Sequence, residues 1–344
     1  MSGGAPRTLV VMPNWVGDCV MAEPVLRALA ASGRELAVLA RPGLHSLLAL
    51  FPGVVDCIAR VDDGASLAAI RAGDFAEAVV LPNSFRSARL VRQAGIPRRI
   101  GYRSDLRGPL LAPAVARPRG RRPQIEDYRE LLQAIGVAPP DSFVPRLELP
   151  AALVERGRER LERANLGGPS AAGPLVGLSP GAEWGPSKQW PMRRWSDLAT
   201  ELRRRRPGIR QAIFVGPKEI WLGVRIHEES GKIHPLLGPD LDLAGLAATI
   251  ARLDLLVTND SGPMHLAAAL GVPCVALFGP TDQRRTAPAG DDHTVLDLRL
   301  WCSPCFFKRC PLLHHNCMRG LGVNRVADTV LATLSVDDPE PDPS

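Results

Sequence analysis

Short apolar runs recur along this chain, each followed by a stretch in which apolar residues return every three or four positions. Runs at 8–12, 36–39, 55–58 and 78–81 are rich in Val, Ile, Leu and Ala and predict buried strands. Between them, 19–31, 42–51, 66–72 and 85–94 predict helices. Strands and helices in alternation imply a mostly parallel sheet with helices on both faces. A further helix is predicted over 124–135, with Tyr128, Leu131, Leu132 and Ile135 on one side. A Pro-rich connection at 138–150 and a charged helix at 151–164 follow. The pattern restarts after Gly167-Gly168-Pro169 with strand 175–178, helix 195–205, strand 211–215, and strands 255–257 and 274–278. The predicted class is α/β in two domains, 1–165 and 166–335, with a disordered Asp- and Pro-rich tail at 336–344. A length of 344 residues suits two domains.

Composition changes this picture in two ways. The hydrophobic fraction of 45% supplies packed cores, yet no run approaches the length of a membrane span. The best, 266–278, is broken by Gly271 and Pro273, and the first apolar run is too short for a secretory signal. Seven cysteines without such a signal predict a reducing cytosol. The second change is charge. The net +6 is unevenly spread: eleven arginines fall between Arg86 and Arg122, with Asp105 the only acid among them. Such a window seeks phosphate or an anionic surface. It lacks the interleaved aromatics of a nucleic-acid groove, apart from Phe85 and Tyr102, so no nucleic-acid partner is expected.

Three loops carry candidate chemistry. In 253–282 a strand runs into the polar turn Thr258-Asn259-Asp260-Ser261-Gly262, and Pro263 suits the first turn of a helix ended by Gly271 and Pro273. Ser261 or Gly262 is the expected N-cap. A turn of this kind aims backbone N–H groups and the positive end of a helix at one spot, a ready anion site that His265 also reaches. After the first strand comes Pro13-Asn14-Trp15-Val16-Gly17-Asp18. Asp18 is either an N-cap or a carboxylate placed to accept a proton. After the first strand of the second half, residues 179–191 hold Lys188, one of only four lysines. Its ammonium suits a phosphate leaving group, against the plainer reading of a surface lysine.

Cys302, Cys305, Cys310 and Cys317 form C-x2-C-x4-C-x6-C with His314 and His315 inside. A structural zinc site is the leading reading, with an iron–sulfur cluster, stray thiols or a disulfide as the others.

In this order, WVGD at 15–18, LPNSFRSA at 81–88, AGIPRRIGY at 94–102, PGAEWGPSKQWP at 180–191 and TNDSGPMHLAAALGVPCVALFGPT at 258–281 resemble the heptosyltransferases of lipopolysaccharide inner-core synthesis, glycosyltransferase family 9. The resemblance covers roughly 8–335. It implies a GT-B fold, two Rossmann-like domains facing across a cleft, the first for the acceptor and the second for ADP-heptose. By position, Asp18 matches the catalytic base and Lys188 the lysine that steadies the diphosphate. Asp260, Ser261, Gly262 and His265 match the donor-binding turn, and Glu219 lies in the region of a ribose-holding carboxylate. Asn14, Trp15 and Ser187 are assigned to the donor as well. Ser84, Arg86, Arg119, Arg121 and Arg122 are the acceptor candidates, suited to a phosphorylated Kdo-lipid A-heptose glycolipid. The resemblance implies inverting transfer of L-glycero-D-manno-heptose to the first heptose of the core, favoured by WVGD together with PNSF at 82–85. The alternatives are a type I or type III reaction of the same family, or a non-catalytic nucleotide-sugar-binding protein. No cofactor is expected in catalysis. A monomer is expected, cytoplasmic and in peripheral contact with the inner membrane.

Overall fold

The computed structural model describes residues 7–168, 173–232 and 234–335; the tail at 336–344 lies outside them. The apolar runs are strands. β1 (Arg7–Val11), β2 (Glu35–Ala40), β3 (Val54–Ala59), β4 (Glu77–Val80), β5 (Arg98–Tyr102) and β6 (Ala114–Val115) form one sheet, ordered β3-β2-β1-β4-β5-β6. β7 (Leu175–Ser179), β8 (Arg210–Phe214), β9 (Leu236–Leu237), β10 (Leu255–Asn259), β11 (Cys274–Leu277) and β12 (His293–Leu296) form a second, ordered β12-β11-β10-β7-β8-β9. All paired neighbours are parallel. Counted within its own sheet, each has the Rossmann order 3-2-1-4-5-6. In such a sheet the order reverses between the first and fourth strands, and ligands bind outside their carboxyl ends. Those reversal points lie between β1 and β4 and between β7 and β10, where the Asp18, Lys188 and Asp260 loops leave the sheets.

The inner strands of both sheets are nearly all buried, as expected where helices cover both faces, while the edge strand β3 leaves Val55 and Asp56 exposed. Leu9, Val10, Val11, Leu255, Leu256 and Val257 are fully buried. Where a polar residue enters, it is matched. Thr8 donates to Glu77 Oε1 at 2.8 Å, and Glu77, 3% exposed, takes Arg34 at 2.6 Å and Arg98 at 2.7 Å. In the second unit Trp190 and Trp195 meet edge to face with centroids 5.3 Å apart, a pairing that adds about 0.5–1.5 kcal/mol to their burial.

Three differences from the sequence reading have local causes. The helix expected over 19–31 is two, Val16–Met21 and Glu23–Ala31, because Pro24 has no N–H to continue the ladder through Ala22. β5, β6, β9 and β12 are absent from the apolar pattern, since β5 opens on two arginines, β6 and β9 are two residues long, and β12 begins His-Thr. The chain divides into compact units between Glu148 and Leu149, ahead of the helix Ala151–Arg163 rather than after it at 165/166. That helix packs on the helix Leu243–Ile250 so closely that a Cβ at Gly157 would lie 2.3 Å from the Ala248 carbonyl oxygen.

Candidate active site

The first unit holds Asp18 in the opening turn of the helix Val16–Met21. Trp15 is the N-cap, so Asp18 is not a cap. Its Oδ1 accepts from Gln124 Nε2 at 3.0 Å, and the same amide reaches the Tyr128 hydroxyl at 3.1 Å. Two arginines fix the loop before it: the Arg60 guanidinium donates to Asn14 Oδ1, and Arg41 donates to the Asn14 carbonyl and lies 5.8 Å from the centre of the Trp15 ring. The buried Cys19 thiol donates to the Pro13 carbonyl at 3.3 Å, and burial, reinforced by Asp18, pushes its pKa far up.

The arginine window is not one patch. Arg107 is fully buried, donating to the carbonyls of Tyr102 (2.8 Å) and Pro82 and to Asn83 Oδ1 at 3.1 Å; burial lowers it to about 10. Arg98 and Arg99 bind backbone carbonyls of Ile135 and Leu110. Arg86 and Arg89 share Asp63 at 2.7 and 2.8 Å. Arg122 binds Asp127 at 2.7 Å and Glu130. Ser84 is the N-cap of the helix Phe85–Gln93, accepting from the Ser87 N–H at 3.3 Å. Arg103, Arg117, Arg119 and Arg121 remain exposed on the surface.

In the second unit three strand ends converge on one polar cluster. Lys188, on the loop after β7, places Nζ 2.6 Å from Asp260 Oδ2 at the end of β10, with side chains 12% and 4% exposed. The same nitrogen donates to the Asp260 carbonyl at 3.3 Å and sits 5.2 Å from the centre of the Trp184 ring. Thr281, after β11, donates to Asp260 Oδ2 at 2.5 Å. Ser261 is the N-cap of the helix Gly262–Ala269 and has no side-chain cap bond, its hydroxyl lying 3.3 Å from that of Thr258. Burial drives the His265 imidazole down to about 4, against the opposing pull of Asp260, so it is neutral at pH 7.

Glu219, after β8, turns away from the helix it precedes, Ile220–Glu229, and accepts the Ala182 N–H at 2.8 Å and the Gln189 amide at 3.4 Å. A Cβ at Gly181 would meet its carboxylate at 2.0 Å, so only glycine lets it lie there. Burial raises its pKa above the usual 4.5.

The residue that shapes this loop was not among the sequence candidates. Asn259, fully buried, accepts the Trp190 N–H at 3.1 Å and donates to the carbonyls of Pro180 (2.7 Å) and Gly181 (3.4 Å). It thereby ties both ends of the Lys188 loop to β10. Ser187 is likewise occupied: its hydroxyl donates to the Phe307 carbonyl at 2.6 Å, its N–H to the Lys308 carbonyl at 3.2 Å, and its own carbonyl faces His315 Nε2 at 2.7 Å.

Those bonds brace the loop against the cysteine segment. Cys302, Cys305, Cys310 and Cys317 are free thiols around one small cavity shared with Ser187, His314 and His315. Burial, with the neighbouring thiols, raises Cys317 to about 11. The zinc expectation is not supported: among the described residues no three His, Cys, Asp or Glu side chains are arranged to hold a metal ion. The spacing brings the thiols to one cavity without building a ligand set among the described residues.

Two Rossmann units in one chain, with an anchored lysine at a helix N-terminus in one and a helix-borne carboxylate in the other, define the GT-B glycosyltransferase class expected from the sequence. The sequence model of glycosyltransferase family 9 (heptosyltransferase) matches residues 65–315, and the chain belongs to that family. It is 32% identical over 310 residues to lipopolysaccharide heptosyltransferase 2 of Salmonella typhimurium, covering 85% of this chain and 88% of that one. The Escherichia coli K12 protein of the same name gives the same identity and coverage. The structure of E. coli ADP-heptose LPS heptosyltransferase II matches with TM-score 0.80 at 27% identity, over 97% of this chain and 100% of that one. A family 9 glycosyltransferase from Veillonella parvula has the same fold, with TM-score 0.83 at 21% identity.

Proposed function

We propose that this glycosyltransferase moves L-glycero-D-manno-heptose from ADP-heptose, with inversion, onto the first heptose of the lipopolysaccharide inner core. The observation that carries the reading is Lys188, held 2.6 Å from buried Asp260 beside the N-terminus of the helix Gly262–Ala269. A fixed cation next to oriented backbone dipoles suits the charge that grows on a diphosphate as it leaves, and needs no reorganisation when it does. The similarity to proteins named heptosyltransferase 2 narrows the donor and the acceptor.

In this reading Asp260 and Thr281 aim Lys188 at the diphosphate, and Ser261, Gly262 and His265 line the same spot. Glu219 accepts the ribose hydroxyls. Asp18, steadied by Gln124, takes the proton of the acceptor hydroxyl as its oxygen bonds to the anomeric carbon. The bond from that carbon to the diphosphate oxygen breaks, and ADP departs with the electron pair. Lys188 supplies the positive charge, so no cofactor enters the chemistry. Arg86, Arg119 and Arg121 meet the anionic acceptor, with Arg122, paired to Asp127 and Glu130, bracing the segment beside them, and Asn14 and Trp15 sit at the loop beside the base. The protein acts as a cytoplasmic monomer peripheral to the inner membrane. Among the described residues no helix is long and apolar enough to cross one.

The test is ADP release from ADP-heptose with Kdo-lipid A acceptors carrying zero, one or two heptoses. Release with the one-heptose acceptor alone is expected. Release with the heptose-free acceptor instead would move the reaction to the first heptose.

A further inference from the structure

Between Asp297 and Asp328 the chain carries no acidic residue. Most of that stretch is the cysteine loop, and the loop is pinned. The N–H groups of Cys305 and Phe306 donate to the Pro280 carbonyl at 3.0 and 2.8 Å, and the Ser303 hydroxyl donates to the Gly279 carbonyl. Its side chains sort by direction. The four cysteines line the inner cavity. Trp301 and Leu313 point outward, 88% and 86% exposed, joined by Phe306 and Phe307, while Leu312 borders the cavity and is still half exposed. Lys308, Arg309 and Arg319 are exposed among them, and Arg299 pairs with Asp297 at 3.4 Å.

Phe306 and Leu313 also have left-handed backbones, φ 57° and 58°, a region that bulky side chains avoid. Strain of this kind persists where the surroundings impose it and gathers at functional sites. Backbone bonds hold both residues in place, Phe306 to the Pro280 carbonyl at 2.8 Å and Leu313 to the Cys310 carbonyl at 3.2 Å, so the apolar side chains are fixed facing water. Five exposed large apolar side chains on one short loop call for a surface to meet.

We propose that loop 298–319 docks the protein on an anionic phospholipid surface. Trp and Phe favour the headgroup region, Leu the acyl boundary, and Lys and Arg the lipid phosphates. Two copies joined patch to patch would set these cations against each other. The proposal deepens the peripheral-membrane part of the reading above and rests on the acceptor being a membrane glycolipid. It also gives docking a short route to the chemistry: Phe307 and Lys308 bind Ser187, the neighbour of Lys188.

The test is co-sedimentation of the full chain with phosphatidylglycerol–phosphatidylethanolamine vesicles or with phosphatidylcholine vesicles. The variant is Trp301→Ser/Phe306→Asn/Leu313→Asn, which fits the left-handed positions because Asn tolerates them. The wild type should bind the anionic vesicles and bind the neutral ones far less. The variant should lose at least about tenfold on the anionic vesicles while keeping wild-type transfer to a delipidated, water-soluble acceptor. Undiminished vesicle binding by the variant would overturn the proposal, as would a wild-type dimer that the variant abolishes. Vesicle binding as expected, with no transfer to any acceptor, would instead sink the proposed function and leave the docking surface standing.

Discussion

Lys188 and Asp260 form a closed ion pair 2.6 Å long, with 12% and 4% of their side chains exposed. Deleting the lysine leaves a buried carboxylate held by Thr281 alone among its side-chain partners named above. Breaking one side of a buried pair costs about 3–5 kcal/mol. Lys188→Ala should therefore unfold at lower denaturant as well as bind ADP weakly and turn over slowly. Adding Asp260→Asn to it should recover part of the stability and none of the rate. Equal denaturation midpoints for Lys188→Ala and the wild type would show that the pair contributes nothing to folding.

Asp18→Asn keeps the shape and the contact with Gln124 while removing the base. Transfer should fall by about 10² to 10⁴. ADP affinity, measured by calorimetry, should stay near the wild-type value, because the proposed diphosphate and ribose contacts, Lys188, Ser261, Gly262, His265 and Glu219, lie in the other unit. Near-normal turnover by Asp18→Asn would remove Asp18 from the role of base.

Glu219 should trade stability for affinity. Burial raises its folded pKa above the ordinary 4.5. A group with a raised folded pKa contributes stability below its unfolded value and loses it as pH rises through the folded one. At neutral pH its carboxylate thus weighs against folding. Glu219→Gln keeps an acceptor for the Ala182 N–H and sheds the charge, so its melting temperature at pH 7.5 should exceed the wild type's. ADP-heptose should bind it less well. A lower melting temperature would mean that the carboxylate's bonds outweigh its burial.

The sequence exposed some of this and hid the rest for physical reasons. Asp18 and Lys188 were legible because their loops follow apolar strands, where an α/β sheet opens its crevice. Asn259 was not, since asparagine is an ordinary turn residue and its partners lie 78 and 79 positions back as well as at Trp190. Gln124 reaches Asp18 over 106 positions, with no local signal at either end. A linear count of arginines made one basic window of residues that the fold spends differently: Arg107 is a buried clamp on three loop acceptors, and Arg122 answers two carboxylates. The cysteine spacing fixed a neighbourhood, since four thiols do share a cavity, and the zinc geometry did not follow from it.

His265 makes stability depend on acid. Its folded pKa is about 4 against 6.5 unfolded, with burial the main cause. Between those values the unfolded chain takes a proton that the folded one refuses, so stability is full above 6.5 and falls as pH drops toward 4. His234, which burial also lowers to about 4, adds to the same slope. His265→Gln should reduce the slope of unfolding free energy against pH by about one proton. The check is a series of denaturation curves from pH 7 to pH 4.5. An unchanged slope would show that His265 is protonated without unfolding.

Asn259 offers the sharpest test of how the Lys188 loop is held. Its oxygen accepts the Trp190 N–H and its amide donates to the Pro180 and Gly181 carbonyls, all in a fully buried position. Asn259→Ala leaves one donor and two acceptors without their partner. At about 1–3 kcal/mol for an unsatisfied buried group, the loss should be a few kcal/mol once the loop relaxes. The KM for ADP-heptose should rise with it, because Lys188 sits on the freed loop. Asn259→Asp separates geometry from polarity. It still accepts from Trp190 but sets a buried carboxylate against two carbonyl oxygens, which costs more than an empty site. The aspartate variant should therefore be less stable than the alanine variant despite being nearly isosteric with the wild type. If it instead matches the wild type in chemical denaturation, the amide does not donate to Pro180 and Gly181, and the loop is held by something else.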